Sequence, residues 1–362
     1  MSDPNTLRIL EIDGGGERGY LPLNFLKHFV NLWGIDPARI SDYFDVICGT
    51  SVGGIMSLSL ALGLTPDEMS LFFTDQGRSI FSLFPPPLYS VRPNAAAKVA
   101  LILTNTPFYQ SSGIAEDFYG SGLLYKTLQN TFGLTTTMQS LRTNVIIPSY
   151  EQDTQRYVLF SNLNYPEFIG QNELIYNVGL ATGAAPVYLP PLEMNGHSYL
   201  DGGIYQNNPA QFGKTLAHMI KPNANRVCIL SLGTGIGEMG FDPGDASIVD
   251  VRVENIVARL QNMAGSRGAG LQAFDSIQTI FGLFNIASVG GQESVARSLL
   301  LESKYTLNQV YTYRFQPLLD PDMNTELDNT DLEILTYYEE TALQAFNGDI
   351  DNISAFLGHL TA

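Results

Sequence analysis

The sequence predicts an α/β fold with three layers, in which a mainly parallel central sheet is flanked by helices and followed by a helical C-terminal elaboration. In the first half, short apolar strand patterns alternate with helix patterns, and this alternation is typical of parallel sheets covered on both faces. No linker rich in Gly, Ser or Pro separates the two halves. We therefore predict one domain, with residues 7–210 as its core and residues 211–362 completing the sheet and adding C-terminal helices.

The N-terminal part contains two apolar strand patterns, each of which ends in a glycine-rich turn that leads into a helix. The first strand is predicted at Leu7–Ile12, and its helix at about Tyr20–Trp33. The second strand is predicted at Tyr43–Cys48, and its helix at Ile55–Leu62. Such continuous apolar strands are typical of a sheet that is buried on both faces.

Further elements follow along the chain. Thr65 and Glu68 have the spacing of a capping box, and the proline between them suits a first helical turn, so a helix starts here. Thr330 and Glu333 have the same spacing, and we expect a second capping box at the start of a helix that ends at Phe346. The remaining predicted strands are Asn144–Tyr150, Arg156–Ser161 and Arg226–Leu232.

The charge balance excludes several classes of function. The 362 residues include 19 Lys and Arg against 36 Asp and Glu, for a net charge of −17. A nucleic-acid-binding protein normally shows a basic surface, so no nucleic-acid partner is expected. Any membrane contact is expected to be transient and peripheral. It has to be mainly apolar, because the acidic chain offers no polybasic surface for anionic lipids. Two cysteines exclude a disulfide scaffold, and no Cys/His cluster has zinc spacing.

Targeting signals are not evident in the sequence. The first residues are polar and lead directly into a strand pattern, so no secretory signal peptide is expected. No apolar run approaches the ~18 residues of a membrane-spanning helix. We expect a cytoplasmic protein, or one exported without a cleavable signal.

A candidate nucleophile lies at the end of the second strand. Residues Gly49–Gly53 form the pattern G-x-S-x-G between a buried strand and a helix, which is the context that a nucleophile elbow requires. Its glycines allow a sharp turn that exposes the Ser51 hydroxyl next to a helix N-terminus. The alternative is a catalytically silent scaffold, in which Ser51 only caps the helix.

A second glycine loop, Asp13–Gly19, follows the first strand. Gly14, Gly16 and Gly19 have the spacing of a dinucleotide-binding fingerprint, which leaves a nucleotide-binding module as an alternative. In such a fingerprint an acidic residue that binds the ribose follows about 20 residues later, at the end of the second strand. Asp36 has nearly this spacing, but it comes before the second strand. We favour an oxyanion hole, because consecutive glycines direct several backbone N–H groups toward one point.

The base for Ser51 is the third candidate. Asp201 follows a strand-like segment and precedes two glycines that let another loop approach closely. None of the four histidines has a surrounding motif. An α/β-hydrolase triad of Ser51, Asp201 and His359 has an allowed chain order, but too few strands precede Ser51 for that fold. A Ser–Asp dyad is therefore favoured over a triad.

Together these motifs resemble the patatin-like phospholipases, a family of lipid acyl hydrolases, over about residues 7–210. The glycine loop resembles the family's oxyanion loop, Gly49–Gly53 its nucleophile elbow and Asp201–Gly203 its aspartate motif. The segments 182–191 and 207–209 resemble those before and after that aspartate. The resemblance implies Ser51 as nucleophile and Asp201 as base. It also implies that the backbone amides around Gly14, Gly15 and Gly16 form the oxyanion hole. Arg18 would help to hold that loop.

The resemblance also implies hydrolysis of fatty-acyl esters of phospholipids without a metal or cofactor; whether a protein or small molecule activates the chain stays open. Glu17 departs from the family pattern, which more often has an apolar residue there, and we expect Glu17 to face solvent or to pair with a base. Two apolar segments, Ile80–Tyr89 and Ile280–Phe284, are candidates for contact with an interface or for lining an acyl channel. Ordinary core packing is the alternative for both segments.

Overall fold

The computed structural model describes residues 3–76, 121–186, 188–236, 269–305, 309–320 and 329–361, together with residues 322, 323, 325 and 327. Its strands are β1 Thr6–Ile12, β2 Val46–Gly49, β3 Asn144–Glu151, β4 Arg156–Phe160, β5 Leu192–Met194, β6 His197–Asp201, β7 Arg226–Leu232 and β8 Gln309–Phe315. Its helices are α1 Tyr20–Trp33, α2 Val52–Leu62, α3 Pro66–Leu71, α4 Ser121–Phe132, α5 Ile175–Gly183, α6 Ala210–Ile220, α7 Ala269–Tyr305, α8 Leu332–Gly348 and α9 Ile350–Thr361.

The strands form a single sheet in the order β5-β6-β3-β2-β1-β7-β8, and β4 also pairs with β3. The neighbouring strands β3, β2, β1, β7 and β8 pair in parallel. On the other side of β3, the strands β4, β5 and β6 pair in antiparallel fashion. The predicted mainly parallel sheet is confirmed. Because parallel strands share one carboxyl edge, the turns after β1 and β2 emerge side by side.

Helices cover both faces of the sheet, which gives the predicted three layers. Side chains alternate along β1, so that Leu10 and Ile12 pack under α1, α8 and α9, while Leu7 and Ile9 pack under α6 and the end of α7. A further apolar cluster joins α2, α4 and α5 beside β3. Two strands after residue 210, β7 and β8, extend the same sheet next to β1.

Several local predictions are confirmed. The first helix has the predicted bounds, and β7 spans the predicted residues. The capping box at α3 is formed, since Thr65 Oγ1 accepts from the Glu68 N–H at 3.2 Å and the Glu68 carboxylate accepts from the Thr65 N–H at 2.7 Å. These elements depend on local pattern and local hydrogen bonds, which a sequence displays directly.

Two local predictions are wrong. The second strand begins at Val46 rather than Tyr43, because residues 37–43 form a 3₁₀ helix capped by Asp36. The helix expected from Thr330 begins at Leu332 with Asp331 in the N-cap position. Thr330 is therefore not the N-cap residue, as the predicted capping box requires, since the residue that adopts the extended cap conformation is one position later.

The side chains of the two apolar segments lie outside the described part of the structure. Residues 80–89 lie outside the described residues, and residues 280–284 lie in the part of α7 whose side chains are not described. Among the described helices, none combines the length and apolar character needed to cross a membrane.

Candidate active site

Ser51 occupies the sharp turn between β2 and α2, as the motif predicts. Its backbone has φ 56° and ψ −128°, a conformation that non-glycine residues rarely adopt. The turn is held from outside, because the Ser51 N–H donates to Thr182 Oγ1 at 3.0 Å and that hydroxyl donates to the Pro148 carbonyl at 2.7 Å. A strained serine between a strand and a helix is the geometry of a nucleophile elbow.

Two glycines allow the two turns to approach each other. A Cβ atom on Gly53 would lie 2.2 Å from the carbonyl oxygen of Ile12, so only glycine lets α2 start against the end of β1. A Cβ atom on Gly14 would lie 2.2 Å from Asn207 Oδ1 and 3.1 Å from the Ser51 Cβ. The glycine loop after β1 therefore lies directly against Ser51.

The amides of this loop differ in their partners. The Gly14 N–H donates to the Asn207 carbonyl at 3.2 Å and is thus engaged within the protein. Among the described residues, the N–H groups of Gly15 and Gly16 have no hydrogen-bond acceptor. Of the three amides implied by the resemblance, those of Gly15 and Gly16 remain available to an oxyanion.

Asp201 is the last residue of β6 and is fully buried. One oxygen, Oδ1, accepts from the Gly203 N–H at 2.7 Å, whereas Oδ2 has no hydrogen-bond partner among the described residues. Burial raises the pKa of Asp201 to about 7, although the Ser51 hydroxyl and the Gly203 N–H act to lower it. The carboxylate is therefore a stronger base than an ordinary aspartate.

One cavity brings the predicted residues together. It encloses about 520 Å³ of empty space including its mouth, and both Ser51 and Asp201 line it. The loop Gly14–Gly16 lines it, as do the side chains of Arg18 and Ser288. One space is thus lined by a hydroxyl residue, a buried carboxylate and two glycines whose amides have no acceptor among the described residues, which is an arrangement suited to acyl transfer.

A second, apolar cavity opens next to the first. It encloses about 610 Å³ including its mouth, and the two share Ser51, Gly16, Gly183 and Leu189. Its other walls are mainly the apolar side chains Val52, Ile55, Met56, Phe72, Phe73, Leu124 and Leu128. A hydrocarbon chain attached to a carbonyl carbon at Ser51 has an apolar place to lie.

Glu17 is buried, so the expectation that it faces solvent is wrong. Its side chain is 2% exposed and borders the apolar cavity. Its backbone N–H donates to the Leu327 carbonyl at 2.8 Å, and this hydrogen bond connects the loop to the segment that contains Leu327. Its charge also acts on the buried phenol of Tyr338, whose pKa is raised chiefly by burial. The loop's tertiary contacts, rather than the polarity of Glu17, decide its position.

A buried ion pair holds the start of the glycine loop. Asp13 is fully buried, and Arg314 of β8 donates to its Oδ1 at 3.1 Å and also to its Oδ2. Burial alone lowers the pKa of Arg314, but the adjacent Asp13 outweighs it and the pKa is raised. Sequence reasoning missed Arg314, because β8 was not predicted and an arginine in a strand pattern has no motif.

Asn208 and Glu11 extend this network. Asn208 Nδ2 donates to Asp13 Oδ1 at 2.8 Å and to Glu11 Oε2 at 2.9 Å. Burial, and next the charge of Asp13, raise the pKa of Glu11 well above its usual range. The raised pKa favours the neutral form of Glu11, while Asp13 is the carboxylate that pairs with Arg314. The segment after Asp201 thus connects the aspartate motif to the glycine loop.

The geometry excludes a triad with His359. His359 Nδ1 lies 3.2 Å from Arg226, the first residue of β7, and its ring stacks on Tyr311 at 3.8 Å. That is the amino edge of the sheet, roughly 20 Å along β7 from the carboxyl edge where Ser51 lies. None of the four histidines lines the cavity that contains Ser51.

The remaining histidines have other surroundings. His28 packs against Phe346, and desolvation lowers its pKa. Desolvation likewise lowers the pKa of His218, near the end of α6. His197 lies 2.8 Å from Asp153 and 3.7 Å from Glu151, and its hydrogen bond to Asp153 raises its pKa. The side chains of His197, Asp153 and Glu151 form an ion-pair cluster, and none of the three lines either cavity.

The nucleotide alternative finds no support in this loop. Asp36, the candidate ribose ligand, accepts a hydrogen bond from the Ala38 N–H at 3.0 Å as a helix cap before β2. The space in front of Gly14–Gly16 is occupied at one side by Ser51, and it opens into the apolar cavity.

Comparisons with known proteins agree with the motifs. The family model for patatin-like phospholipase matches residues 10–212. The cGAMP-activated phospholipase of Vibrio cholerae serotype O1 is 31% identical over 260 residues, which are 70% of this chain and 64% of that protein. Patatin-like protein 2 of Arabidopsis thaliana is 30% identical over 262 residues, 64% of this chain and 60% of that protein. The matches thus span less than two thirds of these relatives.

Similar solved structures include VipD from Legionella pneumophila and human GIVD cytosolic phospholipase A2. VipD has a TM-score of 0.41 and 13% identity, over 96% of this chain and 68% of that one. The human protein has a TM-score of 0.41 and 11% identity, over 99% of this chain and 60% of that one.

The ion pair of Arg314 predicts a measurable loss of stability. Replacing Arg314 by Met leaves the charge of Asp13 buried and unpaired, which costs about 3–5 kcal/mol of unfolding free energy. Urea denaturation followed by circular dichroism measures this change.

The matched control is Arg39→Met, at an arginine that is 62% exposed and pairs with Asp42 at 2.7 Å. An exposed pair contributes roughly 0–1 kcal/mol, so this variant should stay close to the wild type. Equal effects of the two substitutions would mean that the buried pair has no special role.

Proposed function

The chain belongs to the patatin-like phospholipase family, and we propose that it is a lipid acyl hydrolase that cleaves fatty-acyl esters of phospholipids through an acyl-enzyme on Ser51. In this proposal Asp201 is the general base, and the glycine loop forms the oxyanion hole. Family membership supports lipid acyl hydrolysis, and the activity of this chain, the residue roles and the phospholipid specificity are all part of the proposal. The observation that carries it is that Asp201 and Ser51 line one cavity, and that the buried Asp201 Oδ2 has no hydrogen-bond partner among the residues that the structure describes.

Acylation begins when the Ser51 oxygen attacks the ester carbonyl carbon. Asp201 Oδ2 takes the hydroxyl proton as the new C–O bond forms, because no protein donor among the described residues occupies that oxygen. Collapse of the tetrahedral intermediate breaks the ester C–O bond, and the leaving alcohol takes the proton from Asp201. A pKa of about 7 suits a group that both accepts and returns a proton near neutral pH.

Deacylation repeats this proton transfer with water in place of serine. Water attacks the acyl carbon, Asp201 accepts its proton, and the fatty acid leaves as Ser51 recovers the proton. In both steps the negative oxygen is stabilised by the N–H groups of Gly15 and Gly16, while the Gly14 N–H is engaged with Asn207. Each such donor contributes about 3 kcal/mol of transition-state stabilisation.

The substrate class is supported by the two cavities. The apolar cavity beside Ser51 suits an acyl chain, because its walls from Val52 to Leu128 offer mainly hydrocarbon contacts. Arg18 borders the catalytic cavity, and its buried Nε has no hydrogen-bond partner among the described residues. A cation in this position suits a phosphate group, which favours phospholipids over neutral lipids.

Substitution of the two reacting residues tests the mechanism. Ser51→Ala and Asp201→Asn should each lower kcat on mixed phospholipids by a factor on the order of 10⁴ or more, because each removes a group that the reaction requires. Mass spectrometry of the released fatty acids and lysolipids gives the rate. A cyclic dinucleotide is added in parallel, because the Vibrio cholerae relative is named as cGAMP-activated.

His359→Gln is the matched control and should retain wild-type kcat, since His359 lies at the amino edge of the sheet. A fluorophosphonate probe should label the wild type but not Ser51→Ala, because only an activated serine reacts. An unlabelled but folded wild type would favour the catalytically silent scaffold.

The pH dependence follows from Asp201. Its charged form is the base, and its pKa is raised to about 7 by burial, so kcat/KM should rise about tenfold per pH unit below that value and level off above it. Initial rates on a soluble short-chain nitrophenyl ester over a pH series measure the profile. A plateau that extends down to about pH 5 would contradict the raised pKa.

The apolar cavity predicts a change in chain-length preference. Ile55→Phe places a larger side chain in its wall, so the ratio of long-chain to short-chain ester hydrolysis should fall by about tenfold, while short-chain hydrolysis changes little. The ratio is measured with nitrophenyl esters of increasing length. Ile169→Phe, at a residue that is 36% exposed, is the control with an unchanged ratio.

A further inference from the structure

The carbonyl oxygen of Gly14 accepts hydrogen bonds from three side chains. The donors are Asn207 Nδ2 at 3.1 Å, Thr234 Oγ1 at 3.0 Å and Gln292 Nε2 at 3.1 Å. A carbonyl oxygen has two lone pairs, so this group receives more donors than it needs for satisfaction. The donors come from the segment after β6, the turn after β7 and helix α7, which are three separate parts of the fold.

This carbonyl belongs to the same peptide unit as the N–H of Gly15. In a trans peptide the C=O and N–H bonds point in opposite directions. Three donors that fix the Gly14 oxygen therefore also fix the direction of the Gly15 N–H. That N–H has no acceptor among the described residues, and Gly15 lines the cavity with Ser51.

A peptide between two glycines is otherwise free to rotate, because neither residue has a side chain that limits φ and ψ. Rotation by half a turn would place the Gly14 oxygen where the Gly15 N–H belongs. A carbonyl dipole would then face the negative oxygen of the tetrahedral intermediate and oppose the reaction. Holding this peptide is thus a requirement for an oxyanion hole built from glycines.

Gln292 is the donor that lies farthest along the chain from Gly14, and it belongs to a helix rather than to a neighbouring turn. Its side chain is 2% exposed, and it projects from the 37-residue helix α7 onto a loop nearly 280 positions earlier in the chain. One turn before it, Ser288 donates to the Gly203 carbonyl at 3.1 Å, so the same helix face also contacts the turn after Asp201. The helix therefore touches the loops that carry both the oxyanion amides and the base.

We propose that Gln292 is a positioning residue for ester hydrolysis, and that it acts by orienting the Gly14–Gly15 peptide so that the Gly15 N–H faces the oxyanion. This inference rests on the proposed function of the Ser51 site. Gln292 lies beyond residues 10–212, the part that the family model covers. It contacts neither the nucleophile nor the base through any hydrogen bond among the described residues.

The first test is Gln292→Met, which keeps the length of the side chain but removes the donor. Because loss of a whole oxyanion donor lowers kcat about 10²–10³-fold, loss of one of three positioning bonds should lower it on the order of tenfold. KM should stay within about twofold, since the peptide acts on the transition state rather than on substrate binding. The fluorophosphonate labelling rate should fall in parallel, because the probe's phosphoryl oxygen occupies the same hole.

The second test is Gln292→Glu, which gives a signature that a packing role does not. An ionised carboxylate repels the Gly14 oxygen, whereas a protonated carboxyl can donate to it. The ratio of the variant's kcat to that of the wild type should therefore rise as the pH falls from about 8 to about 5. The corresponding ratio for Gln292→Met should be independent of pH.

Two more variants complete the design. Thr234→Val removes another donor to the same oxygen and should reproduce the kcat loss from a different element, which decides the question if Gln292→Met does not fold. Gln211→Met is the matched control, because Gln211 Nε2 also bonds to α7, at Ser298 Oγ at 3.3 Å, but lies away from the cavity. It should retain kcat within about twofold.

Wild-type kcat and labelling in folded Gln292→Met, or in Thr234→Val where the first does not fold, would overturn the inference. So would a Gln292→Glu ratio that does not change with pH. A wild type that neither hydrolyses phospholipid nor reacts with the probe would instead overturn the proposed function, so the two failures are distinguishable.

Discussion

The buried ion pair between Asp13 and Arg314 is the interaction on which the carboxyl edge of the sheet depends. Asp13 begins the glycine loop after β1, and Arg314 belongs to β8, with β7 between them in the sheet. The pair therefore connects the N-terminal motifs to a strand from the far end of the chain. Because an unpaired charge is costly in this environment, the ion pair favours the loop arrangement that keeps Asp13 beside Arg314, and Gly14–Gly16 follow directly after Asp13.

Two buried carboxylates at this edge have opposite environments. Asp13 meets a guanidinium and an amide, whereas the one hydrogen bond to the Asp201 carboxylate from the described residues comes from the Gly203 N–H. The first arrangement pairs the carboxylate with a cation and gives it a structural role. The second raises the pKa of Asp201 to about 7 and leaves one oxygen open, which is what a reversible proton acceptor needs. Different neighbours thus separate the structural acid from the candidate base.

Much of the fold was predictable because it rests on local patterns. Continuous apolar runs identified β1 and β7, and the capping box identified α3. The strands β5 and β8 were missed, since β5 has only three residues and β8 mixes polar and apolar residues that are covered unequally by their neighbours. The start of α8 was misplaced by two residues, because Thr330 and Asp331 both suit a cap and only the backbone conformation distinguishes them.

The sequence by itself determined which groups are available for chemistry. A serine in a strand–turn–helix context, a glycine loop and an aspartate before two glycines are defined by local spacing, and so they could be named before their contacts were known. Only the tertiary structure decided which amides are free, that Glu17 is buried, that His359 lies at the wrong edge, and that Arg314 and Gln292 hold the loop. The physical reason is that hydrogen-bond partners and burial arise between residues hundreds of positions apart, and no spacing along the chain records them.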